Sequence, residues 1–184
     1  MTDGLRFRCT GCGQCCRTLR VAVTDRDLER LVRASGLDAE RLVDWLEPDA
    51  VDMSGEPESF VDLRQGRRLM VLAHGPGGCR LLGDGARCSV YAARPRDCRL
   101  FPFDVVDEPR RIALLPLAGC DYARDGQNDE RVIAQDDAAR WQDLASYQAR
   151  VAAWNRAVRH RRRLGKPLGG AAEYLAFLGL ARAQ

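Results

Sequence analysis

Four cysteines stand close together near the start of this chain, as Cys9-x-x-Cys12-x-x-Cys15-Cys16, and four more follow singly as Cys79, Cys88, Cys98 and Cys120. A C-x-x-C step is the spacing at which two thiolates of one tight loop reach the same metal ion. Gly11 and Gly13 suit the sharp turns of such a loop, because glycine tolerates a positive φ. Overlapping steps and a vicinal pair point to metal rather than to a disulfide scaffold or to buried free thiols. All eight cysteines are therefore candidate ligands. Thiolate-only ligation suits an iron–sulfur cluster, such as the 4Fe–4S type, and Zn²⁺ about equally.

The vicinal pair raises a geometric question. On an extended backbone, neighbouring side chains point to opposite faces. Cys15 and Cys16 are then expected either to divide between two sites or to include one cysteine that is no ligand. Eight thiolates would complete two four-thiolate sites, or one site with spare thiols for exchange. Four thiolates on Zn²⁺ leave a charge of −2, which is costly to take out of water without facing donors. Arg8, Arg17, Arg80, Arg87, Arg94, Arg96 and Arg99 all lie near a cysteine in sequence and are candidates to neutralise it.

The later cysteines sit in recognisable settings. Cys79 precedes Leu81-Leu82, Cys88 opens Cys88-Ser89-Val90-Tyr91, and Cys98 lies in Arg94-Pro95-Arg96-Asp97-Cys98-Arg99-Leu100-Phe101-Pro102. With Cys9 to Cys16 and Cys120, these motifs resemble the YkgJ-type cysteine-cluster proteins, the CxxCxxCC family described as a zinc- or iron-chelating domain. The resemblance runs from about Phe7 to Tyr122 and favours Arg94 and Arg99 among the arginines. It departs at Arg80, where the family often has proline. It implies metal binding but no particular reaction. Flagellin lysine methylases of the wider family are associated with an iron–sulfur cluster, which tilts the expectation that way. Neither ferredoxin spacing nor the C-x-x-x-C-x-x-C pattern of radical S-adenosylmethionine enzymes is present.

The elements that must position these residues follow from pattern. Cys9 to Cys16 reads as irregular and Arg20 to Val23 as a short strand. Thr24 with Asp27 reads as a capping box opening a helix that turns Leu28, Leu31 and Val32 inward and stops at Ser35-Gly36. Asp38 opens a second helix through Leu42, Val43 and Leu46, ended by Pro48, with a polar loop over 47–58. Phe60–Leu63 and Leu69–Ala73 read as strands around Gln65-Gly66, and Phe103–Val106 and Ile112–Leu115 as a hairpin about Glu108-Pro109. Pro95 opens a short helix that carries Cys98. A helix over Glu130–Arg163 turns Trp141, Leu144, Tyr147, Val151, Trp154 and Val158 to one face. Gly165 to Gly170 links it to a last helix over Ala171–Ala183. The expected architecture is α+β: a small cysteine-rich metal-binding domain with short hairpins over 1–125, and a helical C-terminal extension over 126–184 packed on it.

Composition narrows the rest. The chain has 184 residues, 46% hydrophobic and 30% charged, so it buries a core without needing disulfides. The net charge is only +3, below what a strong nucleic-acid binder carries. The basic stretch Arg156, Arg159, His160, Arg161, Arg162, Arg163 and Lys166 reads as the solvated end of a helix, with no aromatic platform for bases. No apolar run approaches the roughly 18 residues of a membrane span. Met1 to Arg8 lacks the apolar core of a secretory signal, so a cytoplasmic protein with reduced thiols is expected. His74 reads as an exposed loop residue. No Ser-His-Asp set and no phosphate loop is present, and no catalytic residue is assigned. The leading expectation is a metal-binding protein. The alternatives are a zinc-stabilised module that presents its basic helix to a protein partner, and a cluster-dependent enzyme such as a methyltransferase. The enzyme would need a cofactor pocket that no motif announces.

Overall fold

A computed structural model describes residues 6–51, 56–107, 110–115, 119–120, 122–167 and 169–180. The chain opens with a short helix, α1 (Gln14–Thr18), then α2 (Asp25–Ser35) and α3 (Ala39–Leu42). Strands β1 (Val43–Leu46), β2 (Val61–Leu63) and β3 (Gly66–Leu72) form one antiparallel sheet with β3 in the middle. Two small hairpins follow, β4 (His74–Gly75) with β5 (Gly78–Cys79), and β6 (Phe103–Asp107) with β7 (Arg110–Leu114), separated by α4 (Arg96–Leu100). The chain closes with α5 (Glu130–Arg163) and α6 (Ala171–Phe177). The α+β class is as expected.

Helix α2 starts where the capping box places it. The Thr24 side chain accepts from the Asp27 amide, and the Asp27 carboxylate accepts from the Thr24 amide at 3.0 Å. The helix stops at Ser35 with Gly36 left-handed behind it, and Leu28 and Leu31 are fully buried while Val32 is half-buried. The second helix is shorter than its pattern suggests. It ends at Leu42, and Val43–Leu46 instead pairs with β3, from Val43 opposite Leu72 to Leu46 opposite Leu69. Satisfying a whole strand edge outweighs a weak helical period. The strand expected at Arg20–Val23 is reduced to one bridge, Ala22 to Val71, on the edge of β3 that β2 leaves. The polar 47–58 stretch holds two single turns of 3₁₀ helix, Pro48–Ala50 and Pro57–Ser59.

The two faces of β3 bury different partners, as its period of two requires. Met70 and Leu72 join the main core with Leu28, Leu31, Val151 and Val158, whereas Leu69 and Val71 pack with Phe60. Helix α5 lies along the outer edge of β2. Asn155 accepts from the Asp62 amide at 2.7 Å and donates to the Phe60 carbonyl at 2.9 Å, and the Trp154 indole donates to the Asp62 carbonyl. These bonds satisfy backbone groups that an edge strand would otherwise leave open. Leu144, Tyr147, Val151, Trp154 and Val158 are buried as expected, but Trp141 is 50% exposed, its ring under the Arg140 guanidinium. Ile133 is buried earlier on the same helix, so Trp141 alone leaves the expected stripe. The last helix ends at Phe177 rather than Ala183; residues 181–183 lie outside the described residues, as does the Glu108-Pro109 turn. Tyr174 of α6 meets Trp45 and Trp154 edge-on, with ring centroids 5.9 and 5.2 Å apart.

Candidate metal centre

The loop from Cys9 is not irregular to its end. Cys15 and Cys16 lie on α1, and Gly13 caps that helix in the left-handed conformation with φ 70°. Helical neighbours diverge by about 100° around the axis, so the premise of an extended pair does not hold. The two thiols sit side by side and hydrogen-bond each other. Two glycines seat α1. A Cβ at Gly13 would lie 2.8 Å from the Ala86 carbonyl oxygen. At Gly78, whose φ is +117°, it would lie 2.7 Å from the Cys16 carbonyl oxygen. Helix α1 is thus pressed between the 84–87 turn and the β4–β5 hairpin.

The remaining cysteines arrive on separately anchored segments. Cys79 is in β5 opposite His74, and its sulfur accepts from the Leu81 amide. Cys88 is bridged to Leu82, and the Ser89 amide donates to the Leu81 carbonyl at 2.9 Å. Cys98 is on α4, whose first amide, that of Arg96, donates to the buried Asp27 carboxylate at 3.1 Å. Asp97 beside it pairs with Arg140 of α5. Cys120 is held by a bridge between Arg8 and Ala123 and by two 2.8 Å hydrogen bonds from Arg8 to Asp125. Phe7 packs on Tyr122 and Phe103 beneath it. Cys9, Cys15, Cys16, Cys79, Cys88 and Cys98 line a cleft of about 850 Å³, which runs on to Asp97, Arg140 and Asp143; Cys12 and Cys120 meet each other beside it, their sulfurs 3.6 Å apart. No motif announces this cleft. It forms between segments distant in sequence.

None of the eight cysteines is in a disulfide. Their charges are unequal. The Cys16 thiol donates to Cys15, and with nearby amides and the Arg94 guanidinium it holds Cys15 below the ordinary thiol value. The same hydrogen bond, with burial, pushes Cys16 up. Burial pushes Cys79 and Cys98 up, and burial with the Cys12 thiol raises Cys120 to about 11. Among the described residues, no three His, Cys, Asp or Glu side chains are gathered as a group that would hold one metal ion. The donor chemistry nevertheless fits one: the soft sulfur residues Cys9, Cys15, Cys16, Cys79, Cys88 and Cys98 line one cleft.

The arginines divide. Arg94, stacked 3.6 Å over the Tyr91 ring and bonded to the Tyr91 carbonyl, is the one whose charge reaches Cys15. Arg17 donates to the Cys12 carbonyl at 2.7 Å, and Arg87 lies against Gly11. Arg8, Arg96 and Arg99 instead pair with Asp125, Asp136 and Asp136. Arg80 is exposed. His74 is half-buried rather than exposed, and its imidazole bonds to the Leu19 backbone. The basic stretch at the end of α5 is exposed throughout, with Arg159 paired to Asp62 at 3.6 Å. Sequence reasoning missed Asp27 as an anchor of α4 and the Asp97–Arg140 pair. The capping box signalled the first only in part, and nothing local signalled the second.

Among the described residues, no helix is long and apolar enough to cross a membrane. A family model described as "Putative zinc- or iron-chelating domain" matches residues 8–133, which extends past Tyr122 into the first turn of α5. No curated protein and no solved structure matches the chain.

Proposed function

We propose, from the premise that this chain belongs to the CxxCxxCC family of zinc- or iron-chelating domains, that its thiolates hold an iron–sulfur cluster or zinc. Cys9, Cys12, Cys15, Cys16, Cys79, Cys88, Cys98 and Cys120 would supply the ligands. The observation that carries this reading is that six undisulfided cysteines distant in sequence, Cys9, Cys15, Cys16, Cys79, Cys88 and Cys98, line one cleft. When bound, zinc would supply a structural cross-link, and a cluster an electron-transfer or Lewis-acid centre. The chain's own residues do the rest. Hydrogen bonding and Arg94 keep charge on Cys15, and the anchored segments set the spacing of the others.

The test is iron, sulfide and zinc content with an absorption spectrum on anaerobically purified protein. Iron with matching sulfide and broad brown absorption supports a cluster. Stoichiometric zinc without colour supports a structural or interaction domain. Absence of both metals, with the thiols all free or paired, defeats the reading.

The cleft favours a second reading, a cluster-dependent enzyme. Its volume of about 850 Å³ is in the range of small-molecule sites. Titration with S-adenosylmethionine separates the two, since a pure metal-binding or electron-transfer protein shows no saturable response.

A further inference from the structure

Helix α5 outruns the core on which it packs. Its last buried residue is Val158, and every residue from 159 to 167 is exposed before the chain returns to the core at Gly169 and Gly170. The helical part of this projection, 159–163, rises about 7.5 Å. It is closed in an ordered way. The Gly165 amide donates to the Arg162 carbonyl at 3.1 Å and the Lys166 amide to the Arg161 carbonyl at 3.0 Å, with Gly165 left-handed between them. Arg159, Arg161, Arg162, Arg163 and Lys166 crowd this end beside His160. Among the described residues, only Arg159 of these is ion-paired, at 3.6 Å to Asp62, and Glu173 lies within the field of Arg161. The chain's net charge of +3 is thus spread unevenly. Four arginines outweigh the half negative charge, roughly, of a helix C-terminus.

The placement of these cations around the axis selects their partner. Successive helical residues step by about 100°, so Arg161 and Arg163 stand on opposite sides of the rod, with Arg162 between them. A flat anionic surface, such as a membrane or an acidic protein face, meets one side only. A groove with anionic walls meets both. The major groove of B-form DNA, about 12 Å wide, about 8.5 Å deep and edged by phosphates, admits a helix of about 10–12 Å diameter. The deep, narrow major groove of duplex RNA does not. The missing aromatic platform bears on single strands, whose bases must be stacked, and not on a duplex held by its phosphates. We infer that the exposed end of α5 docks in the major groove of duplex DNA, through phosphates and without sequence preference. Backbone contacts alone give dissociation constants of about 10⁻⁴–10⁻⁶ M at physiological salt, which suits a small net charge. No residue of the projection lines the cysteine cleft, so this inference stands apart from the metal reading.

The experiment is fluorescence anisotropy on the full-length protein as purified, over a series of salt concentrations. The probes are two labelled DNA duplexes of unrelated sequence, the matching RNA duplex, and vesicles containing phosphatidylserine. Both DNA duplexes are expected to bind alike and more tightly than RNA, with log K falling linearly against log salt. Arg161→Gln and Arg163→Gln each lower that slope by about one, and the triple change of Arg161, Arg162 and Arg163 to Gln lowers it by about three. Arg26→Gln, exposed on α2, leaves it unchanged. Far-UV circular dichroism confirms that each variant is folded. Absence of DNA binding at low salt overturns the inference, whether or not the vesicles bind. So does RNA binding as tight as DNA binding, an effect of only one of Arg161 and Arg163, or an equal effect of Arg26→Gln.

Discussion

Cys15 and Cys16 differ by one bond in the chain and by the sign of their displacement from the ordinary thiol value. Their shared proton rests on Cys16, because the amides around Cys15 and the Arg94 guanidinium favour charge on Cys15. In metal-free protein near neutral pH, iodoacetamide is expected to modify Cys15 before Cys16, Cys79 or Cys98. Peptide mass spectrometry over a time course checks this, and equal rates at all four would contradict it. Metal binding must also displace protons from the raised thiols. Affinity therefore climbs as pH rises toward their ionisation, and binding releases protons. Titrations at pH 6.5 and 8.5 that gave one affinity would count against the Cys79, Cys98 and Cys120 shifts.

At the scale of elements, α1 is held by contact rather than by its own five residues, too few to be stable alone. Gly78→Ala would force a β-carbon to within 2.7 Å of the Cys16 carbonyl at φ +117°. A loss of about 1–3 kcal/mol is expected, with weakened metal binding because Cys15 and Cys16 move with the helix. Thr24→Ala removes a helix cap and is expected to cost about 1 kcal/mol with little change in metal affinity. Urea unfolding and a metal titration on both variants separate the two effects. A Gly78→Ala protein with unaltered metal affinity would show that α1 need not sit where it does.

Across the whole molecule, the core and the cysteine cleft lean on each other unequally. Leu28, Leu31, Met70, Val151, Trp154 and Tyr174 belong to a core that also takes in Cys79, with Cys16, Cys88 and Cys98 packed against it, while Arg8 holds the 122–125 segment by a backbone bridge to Ala123 and an exposed pair with Asp125. Chelation of the metal is expected to leave most far-UV ellipticity intact and to raise amide exchange chiefly around Arg8 and in the 122–125 segment. Global unfolding on chelation would show that the core does not stand alone. Trp154→Ala removes a buried ring and is expected to cost about 3–5 kcal/mol, whereas Trp141→Ala on the exposed side of α5 stays within about 0.5 kcal/mol. Thermal melts of the two variants make the comparison directly.

The metal chemistry, the α2 cap, the two larger hairpins and the full length of α5 were legible in the sequence, because each depends on local spacing: C-x-x-C steps, Thr24 to Asp27, alternation, a period near 3.6. The tertiary structure decided what depends on distant partners. Val43–Leu46 became strand because β3 offered an open edge. Trp141 lies outward, 50% exposed beneath the Arg140 guanidinium, although Ile133 and Leu144 on either side of it are buried. Asp27 became an anchor for the Cys98 helix because α4 packs onto its carboxylate. Cys120 joined Cys12 across 108 residues because Arg8 pairs with Ala123 and Asp125. Local order follows from neighbours in the chain, whereas the grouping of thiols follows from which segments pack together, and spacing alone does not contain that.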